Sequence, residues 1–440
     1  MKYGELHEIE ITYCDRKGRG CGLVNDRPAG VPFTVPGELV EASFVGRRKG
    51  VKKFHLEKVL RPSPERIAPT CPHAGICGGC AWQHIEYEFQ LELKRRLVNE
   101  ALERGGLPER IETVLPSPQT LGYRNRMDFC IGPEGQVGLK EPGRWNSYVD
   151  LSACPLLSPA AADILGEFKD WMRTNDITPW NVFRHDGYVR YLVVREGKNT
   201  GRRMITVVTA DAPLPGRDDL IRRLKPFAAS IYHGINPTVT DLSYAQRLEL
   251  LSGEELLLER VGGRDYLIPP NSFFQTDTVM AERLLETVRG HVAASGAETL
   301  LDLYCGVGFF AVGLADLVRQ AHGVELDAEA IAAARRNAEL NGLENLTFTD
   351  AKAESLVWDT ERPDLVIVDP PRSGLHPKVI ETLLERRPRT IVYVSCNYDS
   401  FVREWLRFGT EYRLADLRAL DLFPNSPHVE LVAKLTAKTD

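Results

Sequence analysis

No run of apolar residues in this 440-residue chain is long enough to cross a bilayer. The first residues, Met1 to Glu10, are charged and lack the apolar stretch of a secretory signal. Both absences lead us to expect a cytoplasmic protein. A surplus of positive charge is also missing. Lys and Arg total 55 against 61 Asp and Glu, a formal net charge of −6, so the global balance does not point to nucleic acid. Any RNA contact must come from local basic patches. There is no internal repeat and no low-complexity tract. Nor is there an even set of cysteines. The count is nine, which in a large intracellular chain argues against a disulfide framework and towards metal binding or catalysis for a subset.

The composition, 43% hydrophobic and 26% charged, is that of a well-packed soluble protein. The length calls for more than one core. Residues 1–61 read as short strands broken by glycines (Glu8–Thr12, Gly22–Val24, Glu38–Phe44, His55–Leu60), a pattern that suggests a small β-barrel. Between two of these strands, the Gly46–Lys53 tip carries five positive charges in eight residues, a candidate contact for an RNA backbone. Prolines 62, 64 and 69 mark a linker, and Tyr87 to Arg104 has helical spacing. We expect residues 62–270 to form a central α+β domain, with strands near Met127–Ile131, Tyr188–Val194 and Met204–Thr209 and a helix near Ala160–Thr174. In residues 271–440 the rhythm becomes strand–helix alternation. Strands are expected at Thr299–Tyr304, Ala321–Glu325, Leu346–Thr349, Leu365–Val368 and Thr390–Ser395, the signature of a doubly wound, Rossmann-like α/β domain.

The strand from Thr299 runs into a turn at Gly306 and Gly308, where the backbone can approach a ligand closely. Ala311 stands where a dinucleotide fingerprint has its third glycine. This disfavours a pyrophosphate cofactor and fits S-adenosylmethionine, a nucleoside without phosphate. Glu325 ends the next strand, where an acid accepts the hydroxyls of a ribose, and Asp350 is a candidate for the adenine side. Asp369-Pro-Pro-Arg-Ser-Gly374 makes a rigid loop at a strand's carboxyl end and suggests a base-like substrate. Cys396 reaches the same sheet edge, and Glu430 precedes the final apolar strand, Leu431–Leu435.

Methyl donor, thiol and carboxylate together suggest a definite chemistry. Carbon 5 of uracil attacks a sulfonium methyl poorly, but a thiolate added at carbon 6 makes carbon 5 enolate-like. A base must then remove the carbon 5 proton so that the thiolate can leave. Cys396 fits the nucleophile and Glu430 the base. Two competing readings remain. An exocyclic-amine methyltransferase explains the Pro-Pro loop but leaves both residues without work. A non-catalytic RNA-binding assembly factor would need neither.

The ordered set Asn271-Ser-Phe-Phe-Gln-Thr, Asp302-Leu-Tyr-Cys-Gly-Val-Gly, Val324-Glu, Asp369-Pro-Pro-Arg-Ser-Gly, Val394-Ser-Cys-Asn and His428-Val-Glu resembles the RNA 5-methyluridine methyltransferases over nearly the whole chain. The resemblance implies that Gln275, Tyr304, Glu325 and Asp369 contact the cofactor and that Phe273 stacks on a flipped uracil. It also implies that Cys396 and Glu430 carry out the reaction. Two departures stand out: Tyr398 where proline commonly follows Ser-Cys-Asn, and Phe309 where some relatives have a polar residue.

Cys71, Cys77 and Cys80 form a C-x5-C-x2-C segment rich in glycine, with Cys154 as a plausible fourth ligand. These thiols suit a thiolate-bound cluster, with zinc as the competing metal. The segment resembles the iron–sulfur motif of the ribosomal-RNA branch, which implies a [4Fe-4S] cluster. The N-terminal strands resemble a TRAM domain, an RNA-binding barrel of the oligonucleotide-binding type. Together these resemblances imply 23S ribosomal RNA as the partner, with transfer RNA as the alternative. Arg124 and Arg126 are candidate backbone contacts. A monomer with no membrane partner is expected.

Overall fold

The computed structural model describes residues 1–48, 50–355 and 362–438. Most of the C-terminal half is one eight-stranded sheet. Its order is Leu346–Asp350, Gln320–Glu325, Thr299–Leu303, Leu365–Val368, Thr390–Ser395, Glu430–Ala437, Tyr412–Leu420 and Val114–Leu115. The first five strands are parallel, and Glu430–Ala437 alone runs against its neighbours. Leu365–Val368 and Thr390–Ser395 are buried at every position, as β-branched strands covered on both faces must be. The chain winds outward from Thr299–Leu303 in both directions. A crevice therefore opens between the ends of Thr299–Leu303 and Leu365–Val368, where open α/β sheets bind ligands.

The sheet recruits a segment from far upstream. The helix Tyr87–Arg104, with the bounds its apolar spacing predicts, buries Leu91, Leu97, Val98 and Leu102 in a core shared with Leu303, Val368, Tyr393 and Leu431. Residues 82–115, expected in a central domain, thus pack as part of the C-terminal layer. The pairing of Val114 with Ala419 was not legible, because a two-residue strand has no periodicity of its own.

A seven-stranded mixed sheet spans Arg126–Gly253, with the helices Ala160–Thr174 and Arg217–Leu224 packed on its core. The N-terminal segment forms a six-stranded sheet that includes Tyr13–Cys14 and Arg27–Val31, two strands the sequence reading omits. It also corrects the basic tip. Lys52 is buried and its Nζ donates to the Val24 carbonyl at 2.6 Å, so this charge satisfies a backbone acceptor and does not face solvent. Lys49, also in that tip, lies outside the described residues. Among the described residues no helix is long and apolar enough to cross a membrane.

Candidate functional site

Four segments converge on the crevice. The first is the turn after Thr299–Leu303. Tyr304 adopts a left-handed φ of 66° and Gly306 and Gly308 follow at 54° and 85°, so three nearly consecutive residues occupy a region that favours glycine. The turn leads into the helix Phe309–Leu314 and is tied from below by buried Asp302, which accepts the Ala311 N–H at 3.0 Å. Glu325 accepts from Gly306 N at 3.3 Å, Leu326 N at 2.7 Å and Asp327 N at 3.0 Å, and its register partner on the next strand is Asp350. Both acids predicted for a nucleoside therefore stand side by side at one sheet edge.

The second segment is the loop 271–275. Gln275 is buried and donates through Nε2 to Oδ2 of Asp369 at 3.0 Å, joining two residues 94 positions apart. Its carbonyl accepts from Asn125 Nδ2 at 2.6 Å, and the guanidinium of buried Arg195 holds the Ser272 carbonyl. Phe274 points inward, with ring centroids 5.6 Å from both Tyr266 and Phe309. Phe309, one of the two departures, is thus a core member of an aromatic cluster. Phe273 points the other way and is 67% exposed. It lines an open cavity of about 730 Å³ with Arg124, Arg126, Lys140 and Gly143. Arg126 is paired there with Asp128 at 2.7 Å, which halves the charge predicted for that position.

The third and fourth segments carry the thiol and the second carboxylate. Thr390–Ser395 and Glu430–Ala437 pair antiparallel and the ladder ends with Ser395 opposite Leu431, which leaves Cys396 and Glu430 as the residues adjoining that last pair. Glu430 is buried, and its Oε1 has no hydrogen-bond partner among the described residues. Burial raises its pKa well above the carboxylate range, and the negative charge of Asp369 adds to this while Arg372 opposes it. Asp369 is raised as well, chiefly by burial, with the Gln275 hydrogen bond working the other way. Two carboxyl groups in one poorly solvated site cannot both ionise freely. The half-buried Cys396 thiol is pushed up to about 11 by burial and then by the charges of Glu430 and Asp369, while a hydrogen bond and charge from Arg372 pull it down.

Arg372 is a residue whose role the sequence reading missed, although it stands three positions after Asp369 in the Pro-Pro loop. That loop is held by Asn397, whose Nδ2 donates to the Arg372 carbonyl at 2.8 Å. Asn397 also caps the helix Tyr398–Phe408 by accepting from Asp399 N. Tyr398 is therefore the first helical residue, a position that favours proline because its N–H has no intrahelical partner. The substitution leaves the cap intact.

Cys71, Cys77, Cys80 and Cys154 line one small cavity together with His73 and Gln83. Among the described residues, no three His, Cys, Asp or Glu side chains are drawn close enough to hold a single metal ion. Just downstream, the backbone N–H groups of Ala81 and Trp82 both donate to the Asn425 carbonyl at 3.0 Å. Asn425, itself left-handed with φ 63°, exchanges hydrogen bonds with Gln90 and donates to the Thr120 carbonyl. The loop leading to Glu430 is thus anchored on the segment that follows the cysteines.

Residues 253–438 match the model of the family described as tRNA (uracil-5-)-methyltransferase. A tRNA (uracil(54)-C(5))-methyltransferase of Pyrococcus horikoshii is 38% identical over 92% of this chain and 95% of its own length. An uncharacterized RNA methyltransferase of Nanoarchaeum equitans is 37% identical over 98% and 94%. Among solved structures, the Pyrococcus abyssi tRNA (uracil-54, C5)-methyltransferase in complex with S-adenosyl-L-homocysteine superposes with a TM-score of 0.81. It is 35% identical and covers 98% of this chain and 100% of that one. The mixed α/β architecture described above is therefore a methyltransferase fold. With likeness extending over nearly the full length of both partners, the chain belongs to the tRNA (uracil-5-)-methyltransferase family and is an RNA methyltransferase.

Proposed function

We propose that this enzyme methylates carbon 5 of a uridine in transfer RNA, with Cys396 as nucleophile and Glu430 as base. The observation that carries the reading is that Cys396 and Glu430 adjoin the last pair of one antiparallel ladder, Ser395 with Leu431, and that the charges of Glu430 and Asp369 both act on the Cys396 thiol. S-adenosylmethionine, when bound, supplies the methyl group. Gln275, Tyr304, Glu325 and Asp369 surround the crevice that would hold it, and Asp350 stands beside Glu325. The acids at neighbouring strand ends suit ribose hydroxyls.

Cys396 loses its proton to solvent water and the resulting thiolate bonds to carbon 6 of the uracil, moving the electron pair of the carbon 5–carbon 6 double bond onto carbon 5 and the adjoining carbonyl. Arg372 favours the thiolate through its charge and hydrogen bond. Carbon 5 takes the methyl group and still carries its hydrogen. Glu430 removes that proton, the carbon 5–carbon 6 double bond re-forms and the sulfur leaves as thiolate. A carboxylate with raised proton affinity is a stronger base for this step than an exposed one. Phe273, exposed at the mouth of the loop, offers a ring face to the extruded base.

The expectation of 23S ribosomal RNA rested on the resemblance of the N-terminal strands and the cysteine segment to features that the typical transfer-RNA branch lacks. The relative with TM-score 0.81 is named for transfer RNA, and its match covers 98% of this chain, so both features fall within the aligned length. This favours transfer RNA. The four cysteines we assign to a [4Fe-4S] cluster rather than zinc. Zinc needs four sulfurs at about 2.3 Å from one ion, whereas a cubane takes one thiolate on each iron. The four thiols line one small cavity together, which supplies the number of thiolates that a cubane takes. The six N-terminal strands we read as a TRAM-like RNA-binding unit.

Incubation with transfer RNA containing 5-fluorouridine tests the chemistry. Fluorine at carbon 5 cannot be removed as a proton, so a covalent complex through Cys396 should accumulate and be absent with Cys396→Ala. A wild-type enzyme that methylates uridine but never traps this RNA would defeat the mechanism. Mapping 5-methyluridine in the ribosomal and transfer RNA of a deletion strain tests the substrate.

A further inference from the structure

Two aromatic side chains on the seven-stranded sheet have no role in the reaction described above and are largely in water. Trp145 is 60% exposed and Phe183 is 56% exposed, yet their ring centroids are 5.2 Å apart at an interplanar angle of 50°. Large apolar rings left in solvent as a pair lose hydrophobic stabilisation that burial would give, so an exposed pair is informative where a single exposed ring is not.

Both rings sit on ordered turns. Trp145 is at the tip of the hairpin between Val137–Lys140 and Tyr148–Asp150, closed by Glu141 N donating to Ser147 O at 3.0 Å and Arg144 N to Glu141 O at 3.2 Å. Phe183 lies in a turn in which the N–H groups of Phe183 and Arg184 both donate to Oδ1 of Asn181, at 2.9 and 3.1 Å. Asn181 N also donates to Asp186 O at 2.7 Å.

The hairpin tip that carries Trp145 also borders the groove that holds Phe273. Gly143, two residues before Trp145, lines that groove together with Lys140, Phe273 and Asn271. Asn271 exchanges hydrogen bonds with Ala245 N and O, at 3.2 and 2.8 Å, next to Tyr244, which is 51% exposed. The loop leading to Tyr244 is pinned by Arg190, which stacks 4.4 Å over Trp180 and donates to the carbonyls of Asn236, Thr238 and Thr240. Exposed rings therefore stand on both sides of this groove, Phe273 in its lining and Tyr244 beside Asn271 on one side, and Trp145 with Phe183 beyond Gly143 on the other.

Charge identifies the kind of contact. Arg144 is paired with Glu141 and Arg184 with Asp186, each at 3.2 Å, and Lys140 is paired with Asp241. Around the ring pair these three cations are each matched by an acid, while the groove's Arg124 has no such partner among the described residues, so what the ring pair itself offers is chiefly the faces of its rings.

We propose that Trp145 and Phe183 form a second stacking station for the RNA substrate, taking an unpaired nucleobase other than the uridine that is methylated. The proposal rests on the reading that the RNA reaches the crevice through the Phe273 groove. Stacking is tolerant of base identity because every base has a π-face, so this station would hold the RNA in place without reading its sequence.

The test compares wild type, Trp145→Ala/Phe183→Ala and Trp145→Phe/Phe183→Tyr on an unmodified transfer RNA transcript. The alanine pair should raise Kd by on the order of 5- to 150-fold, the affinity equivalent of losing one stacked base. Its kcat at saturating RNA should stay at the wild-type value, and the Phe/Tyr pair should bind nearly as wild type. The loss should be similar at low and high salt, because no phosphate contact is removed. Ultraviolet cross-linking of the transcript should label peptides containing Trp145 or Phe183, in the Cys396→Ala protein as well as in wild type. An unchanged Kd for the alanine pair overturns the proposal even where the 5-fluorouridine adduct still forms. So does a switch of the alanine pair from dimer to monomer in ultracentrifugation, which would make the rings a contact between copies of this chain. Failure of the adduct with the cross-links intact would instead count against the Cys396 mechanism alone.

Discussion

Lys94 and Asp421, 327 positions apart in sequence, meet in the interior with Nζ 2.5 Å from Oδ1 and neither side chain exposed to solvent. Asp421 also accepts from the Tyr87 hydroxyl at 3.0 Å and from Phe423 N, while Lys94 donates to the Phe423 carbonyl. The pair joins the helix Tyr87–Arg104 to the start of the loop that ends at Glu430. Removing one partner strands a buried charge, so Lys94→Met should cost about 3–5 kcal/mol. The double variant Lys94→Met/Asp421→Asn should recover part of that loss. Denaturant midpoints for the three proteins measure it, and equal midpoints for wild type and Lys94→Met would show that the pair contributes nothing.

In the mechanism proposed above, Glu430 acts after the methyl group has been transferred. Glu430→Gln should therefore build up a covalent protein–RNA complex on ordinary uridine while turnover falls on the order of 100- to 10,000-fold. Denaturing gel electrophoresis of the variant with transcript and methyl donor detects it. A variant that is inactive and forms no complex would assign Glu430 to an earlier step.

The Cys396 thiol is raised to about 11, so at neutral pH the free enzyme holds it protonated. Alkylation of the Cys396 peptide by iodoacetamide, followed by mass spectrometry, should accelerate about tenfold per pH unit from 7 to 10, because only the thiolate reacts. In Arg372→Ala the reaction should be slower at every pH, since the group that favours the thiolate is gone. A plateau below pH 8 would contradict this.

His84 is buried against Phe33 and its pKa is lowered to about 4, first by burial and then by the charge of Arg66. Unfolded, it would take a proton near pH 6.5. The folded state therefore binds fewer protons between these values, and its stability is full above about pH 6.5 and falls as pH drops towards 4. Replacing it by glutamine should flatten the stability profile in that window alone, as measured by urea midpoints at stepped pH.

The cysteine assignment predicts roughly four iron atoms and four sulfides per chain after anaerobic purification, the content of a cubane. Cys80→Ser should lower that content. Because Ala81 and Trp82 anchor Asn425, it should also loosen the Glu430 loop, seen as faster amide exchange over residues 421–430. Stoichiometric zinc without sulfide would replace the cluster by a single ion.

The strands Leu365–Val368 and Thr390–Ser395 and the helices Tyr87–Arg104 and Ala160–Thr174 keep the bounds read from sequence, since apolar periodicity is a local property of the chain. The placement of Cys396, Glu430 and Asp369 was legible in the same way, because they sit at strand ends that the alternation marks. Partnership was not. Nothing near Gln275 announces Asp369, nothing near Lys94 announces Asp421, and the inward turn of Lys52 depends on a carbonyl 28 residues away. The sequence by itself determined which groups arrive at the crevice. Only the tertiary structure decided which of them share a hydrogen bond or feel one another's charge, because burial and opposed charges act through space between segments that no spacing rule connects.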